Sequence, residues 1–440
     1  MNVSPAVREA LILLRRVENG AHIAPLIDSR SGRFPPGEMG RLTDLLYGVQ
    51  RWRGFCDFVV ERFSSRSLSR IDAEVLDILR LAIYQLTFSL RPPYAIVDEA
   101  VETARWRAPS SGAFINALLR KSAASCPLLE LLPGTGEPAK LLSLRYSHPR
   151  WMVDRWIRTY GRFITEQILT ADQTIPVLTL SVNVRQTTVN ACREKLETCN
   201  VVTELHPIVP GCLTVTHGNP FHSWDKLKGL FYVQDPASLA LGQLAASLGG
   251  DHVLDACGAP GGKSLALARL KHPRLHILND VHLQRLIRAR QNAAAAHESG
   301  IRFLLSRMQT PAFRRDAFDV VLLDVPCSAT GTLGKNPEIK WRLSESDIKA
   351  SGLLQRSLLE GAIELVRPGG WLVYSTCSLE PEENDDVVFT FLNGRNDCKL
   401  RTSLMDVPDY IIPTVDRKGV FRFFPDRTSG GFTAFIISRS

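Results

Sequence analysis

The sequence predicts a multidomain protein in which an all-α N-terminal domain, a small α/β middle subdomain and a C-terminal α/β domain follow one another. Apolar residues recur at helical spacing through residues 1–125, and a segment rich in proline and glycine follows. From position 235 onward, short apolar runs alternate with helical stretches. Such alternation is typical of a doubly wound, Rossmann-like parallel sheet.

The composition shifts place the domain boundaries. We predict a helical domain at residues 1–125, a linker at 126–140, an α/β subdomain at 141–234 and the C-terminal domain at 235–440. The linker is predicted because CPLLELLPGTGEPAK carries several prolines and glycines, which interrupt regular structure.

Four apolar stripes predict four helices in the first domain. The first starts behind Ser4 and Pro5, a favourable N-cap and first helical residue. The second stripe extends to Leu90, and the fourth includes Ala117. The basic residues on these helices are expected on a solvated face; they are Arg80, Arg91, Arg105, Arg107, Arg120 and Lys121.

Bulk composition is ordinary for a soluble globular protein, and a reducing cytoplasm fits its cysteine content. The 440 residues are 45% hydrophobic and 22% charged, and no apolar run approaches the ~20 residues of a membrane span. The nine cysteines form no CxxC pair, so we expect neither a disulfide framework nor a zinc site. The net charge of +8 is compatible with a polyanionic partner, but the basic residues are dispersed.

The spacing of apolar residues predicts further elements. In the middle subdomain we predict helices at 149–169 and 189–198 and strands at 178–184, 213–215 and 230–233. In the C-terminal domain we predict strands at 252–256, 275–279, 301–305, 320–323, 371–375, 420–424 and 432–438. The predicted helices there are 263–270, 283–295 and 353–366.

Two predicted strands end in residues that can do chemistry. The apolar run 320–323 leads into Asp324 and then into Pro326 and Cys327, and the run 371–375 leads into Cys377. In open α/β sheets the reactive groups lie beyond the carboxyl ends of the strands, so we expect all three side chains at one crevice. Buried structural cysteines beside a strand-ending acid remain the alternative. The acids in EPEEN, residues 380–384, are expected to favour a helix N-terminus.

A glycine-rich loop follows the first of these strands. The segment DACGAPGGK runs from Asp255 to Lys263 and leads into a predicted helix. Its glycines allow the backbone to approach a ligand, which could be a dinucleotide, a nucleotide phosphate or S-adenosylmethionine. The next strand is followed by Asp280, where Rossmann-type folds place an acid for ribose hydroxyls. A plain tight turn is the alternative for the loop.

The motifs DACGAPGGK, DVPCSATGTLGKNPEIKW and YSTCSLEPEEN resemble those of RNA 5-methylcytosine methyltransferases. The chain is most similar to the Sun/RsmB type, which methylates a cytosine of bacterial 16S rRNA. The segments GRLTDLLYGVQRWRGFCDFVVERF and GAFINALLRK resemble its NusB-like RNA-binding domain, LRYSHPRWMVDRW its middle subdomain, and VQDPASLA the entry to its catalytic domain.

The resemblance implies a role for each candidate residue. Cys377 is implied to add to C6 of cytosine, because C5 is a poor nucleophile until a thiolate has added. Asp324 is implied to hydrogen-bond the base near N3, and Cys327 to assist removal of the C5 proton and release of the enzyme. S-adenosylmethionine is implied as the cofactor, with Asp280 on its ribose. The other implied cofactor contacts are Cys257, Gly258, Ala259, Pro260, Gly261, Gly262, Lys263 and Asp324.

The chain departs from this family after the third strand. The family has an aspartate there that contacts adenine, whereas this sequence has Ser306. A hydroxyl can still accept one hydrogen bond, and activity is expected to survive if the other contacts carry the binding.

Several rival functions stay open. In DNA cytosine methyltransferases the Pro-Cys thiol is itself the nucleophile, which would give Cys327 the role of Cys377. A non-catalytic rRNA-binding or ribosome-assembly factor, or methylation of another RNA, is also an alternative. On the favoured interpretation we expect a monomer that binds 16S rRNA and contacts neither a membrane nor a metal ion.

Overall fold

The computed structural model describes residues 3–403, 405 and 407–440. These residues group into two compact units. The first unit contains the described residues up to Thr174 together with Leu333–Arg342, and the second contains those of Ile175–Thr332 and Leu343–Ser440.

The first unit is built from helices around one apolar core. The helices are α1 Pro5–Glu18, α2 Ile23–Asp28, α3 Pro36–Ser64, α4 Ala73–Phe88, α5 Pro93–Arg107, α6 Gly112–Ala124, α7 Pro138–Arg145 and α8 Arg150–Gln173. The predicted cap of α1 is confirmed, since the Ser4 hydroxyl accepts a hydrogen bond from the Val7 amide. Among the described residues, no helix combines the length and apolar character needed to cross a membrane.

Three details of the predicted helical surface are wrong. Helix α4 ends at Phe88, so Leu90 lies outside it and is fully exposed. In α6, Ala117 is exposed and the buried positions are Ile115, Leu118 and Leu119. Arg80 is buried rather than solvated, because its guanidinium donates to Asp57 at 2.7 Å and so satisfies its charge inside the unit.

The segment predicted as a linker contains some regular structure. A 3₁₀ turn spans Leu128–Leu131, and Leu128 is buried in the core of the first unit. Helix α7 begins at Pro138 within the same segment, and α8 also groups with the first unit. The boundaries at 125, 140 and 234 stay predictions.

The second unit begins with a small antiparallel sheet in the order β2-β3-β1-β4. Its elements are β1 Thr179–Val182, α9 Val189–Glu197, β2 Val202–Leu205, β3 Cys212–His217, α10 Trp224–Leu227 and β4 Phe231–Val233. The predicted α/β character is confirmed. Strand β2 was not predicted, because only one of its four side chains is buried and the apolar pattern is therefore weak.

A larger sheet forms the rest of the second unit, with strand order β10-β12-β9-β8-β5-β6-β7 and β11 paired to β12. Its elements are α11 Pro236–Ser247, β5 His252–Asp255, α12 Gly262–Leu270, β6 Leu275–Asp280, α13 Leu283–Ala295, β7 Ile301–Leu305, β8 Phe318–Asp324, α14 Glu345–Ile363, β9 Val366–Thr376, α15 Asp385–Leu392, β10 Cys398–Leu400, β11 Phe421–Phe423 and β12 Phe432–Arg439. Strands β9, β8, β5, β6 and β7 are parallel, which confirms the Rossmann-like prediction.

The chain order reverses between β5 and β8, which lie side by side at the centre of this sheet. Ligands bind at such a switch point, beyond the carboxyl ends of the strands. One predicted helix was placed too late, since α14 begins at Glu345 rather than 353. Ser344 and Asp347 form a capping box there, a start signal that the apolar pattern alone did not reveal.

We predict that Gly242→Ala destabilises the second unit. A Cβ at Gly242 would lie 2.6 Å from the Ala266 Cβ and 2.8 Å from the Lys263 carbonyl oxygen, so α11 and α12 would have to separate. Overpacking of this kind costs about 1–3 kcal/mol. Urea unfolding should show a lower transition midpoint for this variant. Gly300→Ala is the control, because a Cβ at Gly300 meets no atom within 4 Å; equal midpoints for both variants would contradict the prediction.

Candidate active site

The site is built on two neighbouring parallel strands. Strand β8 pairs with β9 so that Asp324 lies opposite Ser375. The side chains of Val320, Val321 and Leu322 are completely buried inside the domain. The residues that follow them, at the carboxyl end of β8, are therefore the ones that can face the crevice. The two strands therefore end at the same edge of the sheet, and the loops that follow them run side by side.

The two predicted thiols meet at this edge. The Cys327 sulfur lies 3.2 Å from the Cys377 sulfur, and both cysteines are free. Both are partly accessible from the crevice. The structure thus brings together two groups that stand 50 residues apart in the sequence.

The third predicted group, Asp324, lies beside them and is held by two hydrogen bonds. The Lys263 ammonium donates to Oδ2 at 2.6 Å, and the Ser375 hydroxyl donates to Oδ1 at 2.9 Å. Burial alone lowers the pKa of Lys263, but the neighbouring Asp324 carboxylate outweighs it and raises that pKa above 10.5. Lys263 is therefore a buried cation whose counter-charge is Asp324.

The surroundings of Cys327 favour its protonated form. The pKa of Cys327 is raised well above 9.0, first by its hydrogen bond with Cys377 and then by burial and by the charges of Cys377 and Glu383. A thiol with a raised pKa stays protonated and is a weak nucleophile. Cys327 is thus suited to hold or move a proton in the free enzyme.

A cavity of about 450 Å³ opens at this edge of the sheet. The predicted residues on its wall are Cys257, Asp280, Asp324, Cys327 and Cys377. Residues 258–263 of the glycine-rich loop do not line it, although the structure describes all of them. Lys263 is connected to the cavity through Asp324, to which its ammonium donates a hydrogen bond. The other lining residues are Ala256, Asn279, Val281, His282, Arg285, Ser306, Arg307, Met308, Gln309, Val325, Pro326, Leu354 and Leu358.

Two positions of the loop 257–263 require glycine. A Cβ at Gly258 would lie 2.5 Å from the Asp255 carboxyl carbon, and Gly261 has a φ of +102°, which other residues rarely adopt. One oxygen of the buried Asp255, Oδ1, has no hydrogen-bond partner among the described residues. A narrow glycine turn at the start of α12 fits a nucleoside-type cofactor.

Asp280 occupies the position predicted for ribose recognition. Its Oδ1 accepts a hydrogen bond from the His282 amide at 2.8 Å, and its Oδ2 lies 3.7 Å from the Arg285 guanidinium. Arg285 also donates to the Ala259 carbonyl oxygen, which ties the glycine-rich loop to α13. The remaining carboxylate lone pairs face the cavity and are available to hydroxyl donors.

Ser306 lies on the cavity wall where the related family has an acid. Its hydroxyl donates to the Asn279 side-chain oxygen at 2.7 Å. Asn279 in turn donates to the Ala256 carbonyl oxygen at 2.9 Å and to the Ser306 carbonyl oxygen at 3.1 Å. One amide side chain therefore joins the ends of β5, β6 and β7.

No role was predicted for Glu383, and the helix start predicted at residues 380–384 is wrong. Residues Pro381–Glu383 form a 3₁₀ turn, and α15 begins only at Asp385. Glu383 is fully buried and bonds to the loops that carry the two thiols, instead of facing a helix N-terminus. A buried acid among consecutive acidic residues has no distinguishing signal in a single sequence.

Three family models match the chain. Residues 8–124 match the NusB family, and residues 148–222 match the ferredoxin-like domain of RsmF/B-like methyltransferases. Residues 244–437 match the family described as 16S rRNA methyltransferase RsmB/F. Residues 244–437 form an RsmB/F methyltransferase domain. The predicted resemblance is confirmed, and S-adenosylmethionine is the cofactor of this domain.

Whole-length relatives agree with the domain matches. The ribosomal RNA small subunit methyltransferase B of Salmonella paratyphi B is 28% identical over 396 residues, which cover 89% of this chain and 91% of that protein. The probable methyltransferase B of Bacillus subtilis is 28% identical over 429 residues, covering 95% and 94%. The crystal structure of PH0851 aligns with a TM-score of 0.80 at 25% identity over 100% of both chains.

We predict that Asp255 makes the stability of the RsmB/F domain depend on pH. Burial raises the pKa of Asp255 from 3.8 to about 7 in the fold. Between these values the unfolded chain loses a proton that the folded chain keeps, so the contribution of Asp255 to stability falls as pH rises from about 4 to about 7, by at most about 1.4 kcal/mol per pH unit. The buried His276 contributes with the opposite sign, because burial lowers its pKa from 6.5 to about 4. In urea unfolding, the stability of Asp255→Asn relative to the unmodified protein should therefore rise with pH over this range.

The control for this measurement is Asp251→Asn. Asp251 is exposed and lies just before β5, so this variant should retain the pH slope of the unmodified protein. A stability difference between Asp255→Asn and the unmodified protein that does not change with pH would contradict the prediction.

Proposed function

We propose that this protein methylates C5 of a cytosine in 16S rRNA through a covalent bond between Cys377 and C6 of the base. The observation that carries the proposal is the pair of thiols 3.2 Å apart beside Asp324 on one cavity wall. The similarity to small-subunit ribosomal RNA methyltransferases supports rRNA of the small subunit as the substrate.

Cys377 starts the reaction as the nucleophile. Its sulfur adds to C6, and the electrons of the C5–C6 double bond move onto the ring so that C5 becomes enamine-like. Asp324 hydrogen-bonds the base near N3, where charge develops, and Lys263 supplies the positive charge behind it. The cytosine must leave its stack to reach these groups.

S-adenosylmethionine supplies the electrophilic methyl group that C5 accepts. On the cavity wall, Asp280 would hold its ribose hydroxyls, and the glycine turn lies at the start of the neighbouring helix α12. Val281 and Ser306 line the same cavity and would border its base.

Cys327 completes the reaction by removing the C5 proton. Once Cys377 is bonded to carbon, it no longer offers the hydrogen bond and charge that raise the pKa of Cys327, so Cys327 releases its own proton more easily to water in the open cavity. The Cys327 thiolate then takes the proton from C5. The C5–C6 double bond forms again, and the bond between C6 and the Cys377 sulfur breaks.

The other two domains bind the rRNA on this proposal. Residues 8–124 and 148–222 match the NusB family and the RsmF/B ferredoxin-like domain, and the chain carries a net charge of +8. We expect most of the contacts to be with phosphates. The affinity for 16S rRNA should therefore fall steeply between 50 and 200 mM salt, because each neutralised phosphate releases counterions. A filter-binding series that gives a flat salt response would contradict this assignment.

We predict opposite phenotypes for the two cysteine variants. With labelled S-adenosylmethionine and 16S rRNA, Cys377→Ala should form neither product nor adduct. Cys327→Ala should form a protein–RNA adduct that survives a denaturing gel, because the C5 proton cannot leave. Cys199→Ala is the control, since Cys199 is a free thiol of similar accessibility outside the cavity.

The outcomes separate the rival functions. An adduct from Cys377→Ala, with none from Cys327→Ala, would assign the nucleophile to Cys327, as in DNA cytosine methyltransferases. If the unmodified protein binds 16S rRNA or pre-subunits but transfers no methyl group, the assembly-factor function replaces the proposed one. Product on another RNA but not on 16S rRNA would keep the chemistry and change the substrate.

A further inference from the structure

Glu383 is a completely buried carboxylate that accepts four hydrogen bonds. Its Oε1 accepts from the Ser328 amide at 2.8 Å and from the Gln355 side chain at 3.1 Å. Its Oε2 accepts from the hydroxyls of Ser328 and Ser378. A buried carboxylate is tolerated only when its lone pairs are satisfied in this way, so the arrangement requires all of its donors.

These donors belong to both thiol loops. Ser328 follows Cys327 directly and Ser378 follows Cys377, and their hydroxyl oxygens are 3.0 Å apart. Glu383 thus holds the residue next to each thiol with a single side chain. The two sulfur atoms are joined directly by one contact at 3.2 Å, and the Cys327 sulfur also accepts a backbone hydrogen bond from Ala329. Bonds to sulfur are weaker than the charge-assisted bonds of Glu383.

Glu383 is itself fixed by elements outside the loops. Gln355 on α14 also donates to the Pro326 carbonyl oxygen at 2.9 Å. The Tyr374 hydroxyl on β9 donates to the Glu383 carbonyl oxygen at 2.7 Å. Helix α14 and strand β9 therefore determine where the carboxylate sits, and the carboxylate determines where the loops sit.

We propose that Glu383 is a positioning residue that sets the distance between the Cys327 and Cys377 thiols. The consequence for catalysis rests on the proposed function, in which one thiol binds C6 and the other takes the proton of the adjacent C5. Two reactions at neighbouring carbons require both sulfur atoms on one base at the same time. A displacement of about 1 Å at such a site can cost about 100-fold in rate.

Two substitutions at Glu383 test whether its hydrogen bonds or its negative charge position the two thiols. Glu383→Gln keeps an acceptor oxygen for the Ser328 amide and Gln355, and its amino group can donate to the two hydroxyls, which then act as acceptors. Glu383→Ala removes all four bonds and leaves the Ser328 amide unpaired inside the domain. Rescue by glutamine is therefore the expected signature of positioning.

The separation of the thiols can be measured without any methyl transfer. Diamide takes two electrons and two protons from two thiols, so that a disulfide forms and diamide becomes a hydrazine. We expect diamide to join Cys327 and Cys377 rapidly in the full-length protein, at nearly the same rate in Glu383→Gln, and about tenfold or more slowly in Glu383→Ala. Intact mass and peptide mapping identify the bond.

Glu360→Gln is the matched control for the cross-linking experiment. Glu360 is an exposed residue of α14 that pairs with Arg356, so this variant should cross-link at the rate of the unmodified protein. If Glu383→Ala does not fold, Glu383→Asp carries the same test, because its shorter side chain cannot reach both loops. Cross-linking of a folded Ala or Asp variant at the unmodified rate would overturn the proposal.

Kinetics supply a second readout. With 16S rRNA, Glu383→Ala should lower kcat by about 100-fold and leave KM nearly unchanged, since RNA contacts outside the cavity are intact. A rise in KM alone would also overturn the proposal. Because cross-linking needs neither RNA nor cofactor, it tests the role of Glu383 even if the assignment of the nucleophile fails.

Discussion

The parallel pairing of β8 with β9 is the constraint on which the active site depends. Their register places Asp324 opposite Ser375. Two backbone bonds continue the pairing into the loops, from the Val325 amide to the Ser375 carbonyl at 3.0 Å and from the Gly331 amide to the Cys377 carbonyl at 2.9 Å. A slip of one residue would turn every side chain of one strand to the other face and separate the thiols.

The ion pair of Lys263 and Asp324 connects this pair of strands to the cofactor loop. Lys263 is the second residue of α12, and its Nζ lies 5.0 Å from the Phe432 ring centroid in a cation–π contact. Removing Asp324 would leave a buried ammonium without a counter-charge, which costs several kcal/mol. Asp324 and the glycine-rich loop are therefore coupled through one bond, so a displacement of either would disturb the other.

The functional side chains that directly follow a strand could be predicted from the sequence. Buried charged side chains whose partners lie far away in the chain could not. Asp324, Cys327 and Cys377 follow apolar runs, so the general rule for open α/β sheets was sufficient to place them at one edge. Arg80 and Glu383 are charged residues with polar neighbours in the sequence. No local pattern indicates that Arg80 will bond to Asp57 or Glu383 to Ser328. Their burial is set by tertiary contacts that one sequence does not contain.

The replacement of the family's third-strand acid by Ser306 is consistent with the local hydrogen bonding. An ionised carboxylate at this position could not donate to the Asn279 side-chain oxygen as the Ser306 hydroxyl does at 2.7 Å. That oxygen would then face a second acceptor, and the amide that joins β5, β6 and β7 would lose one of its bonds. Serine preserves this junction and places no negative charge there, so that Asp280 at the end of β6 is the carboxylate that we propose for the ribose of the cofactor.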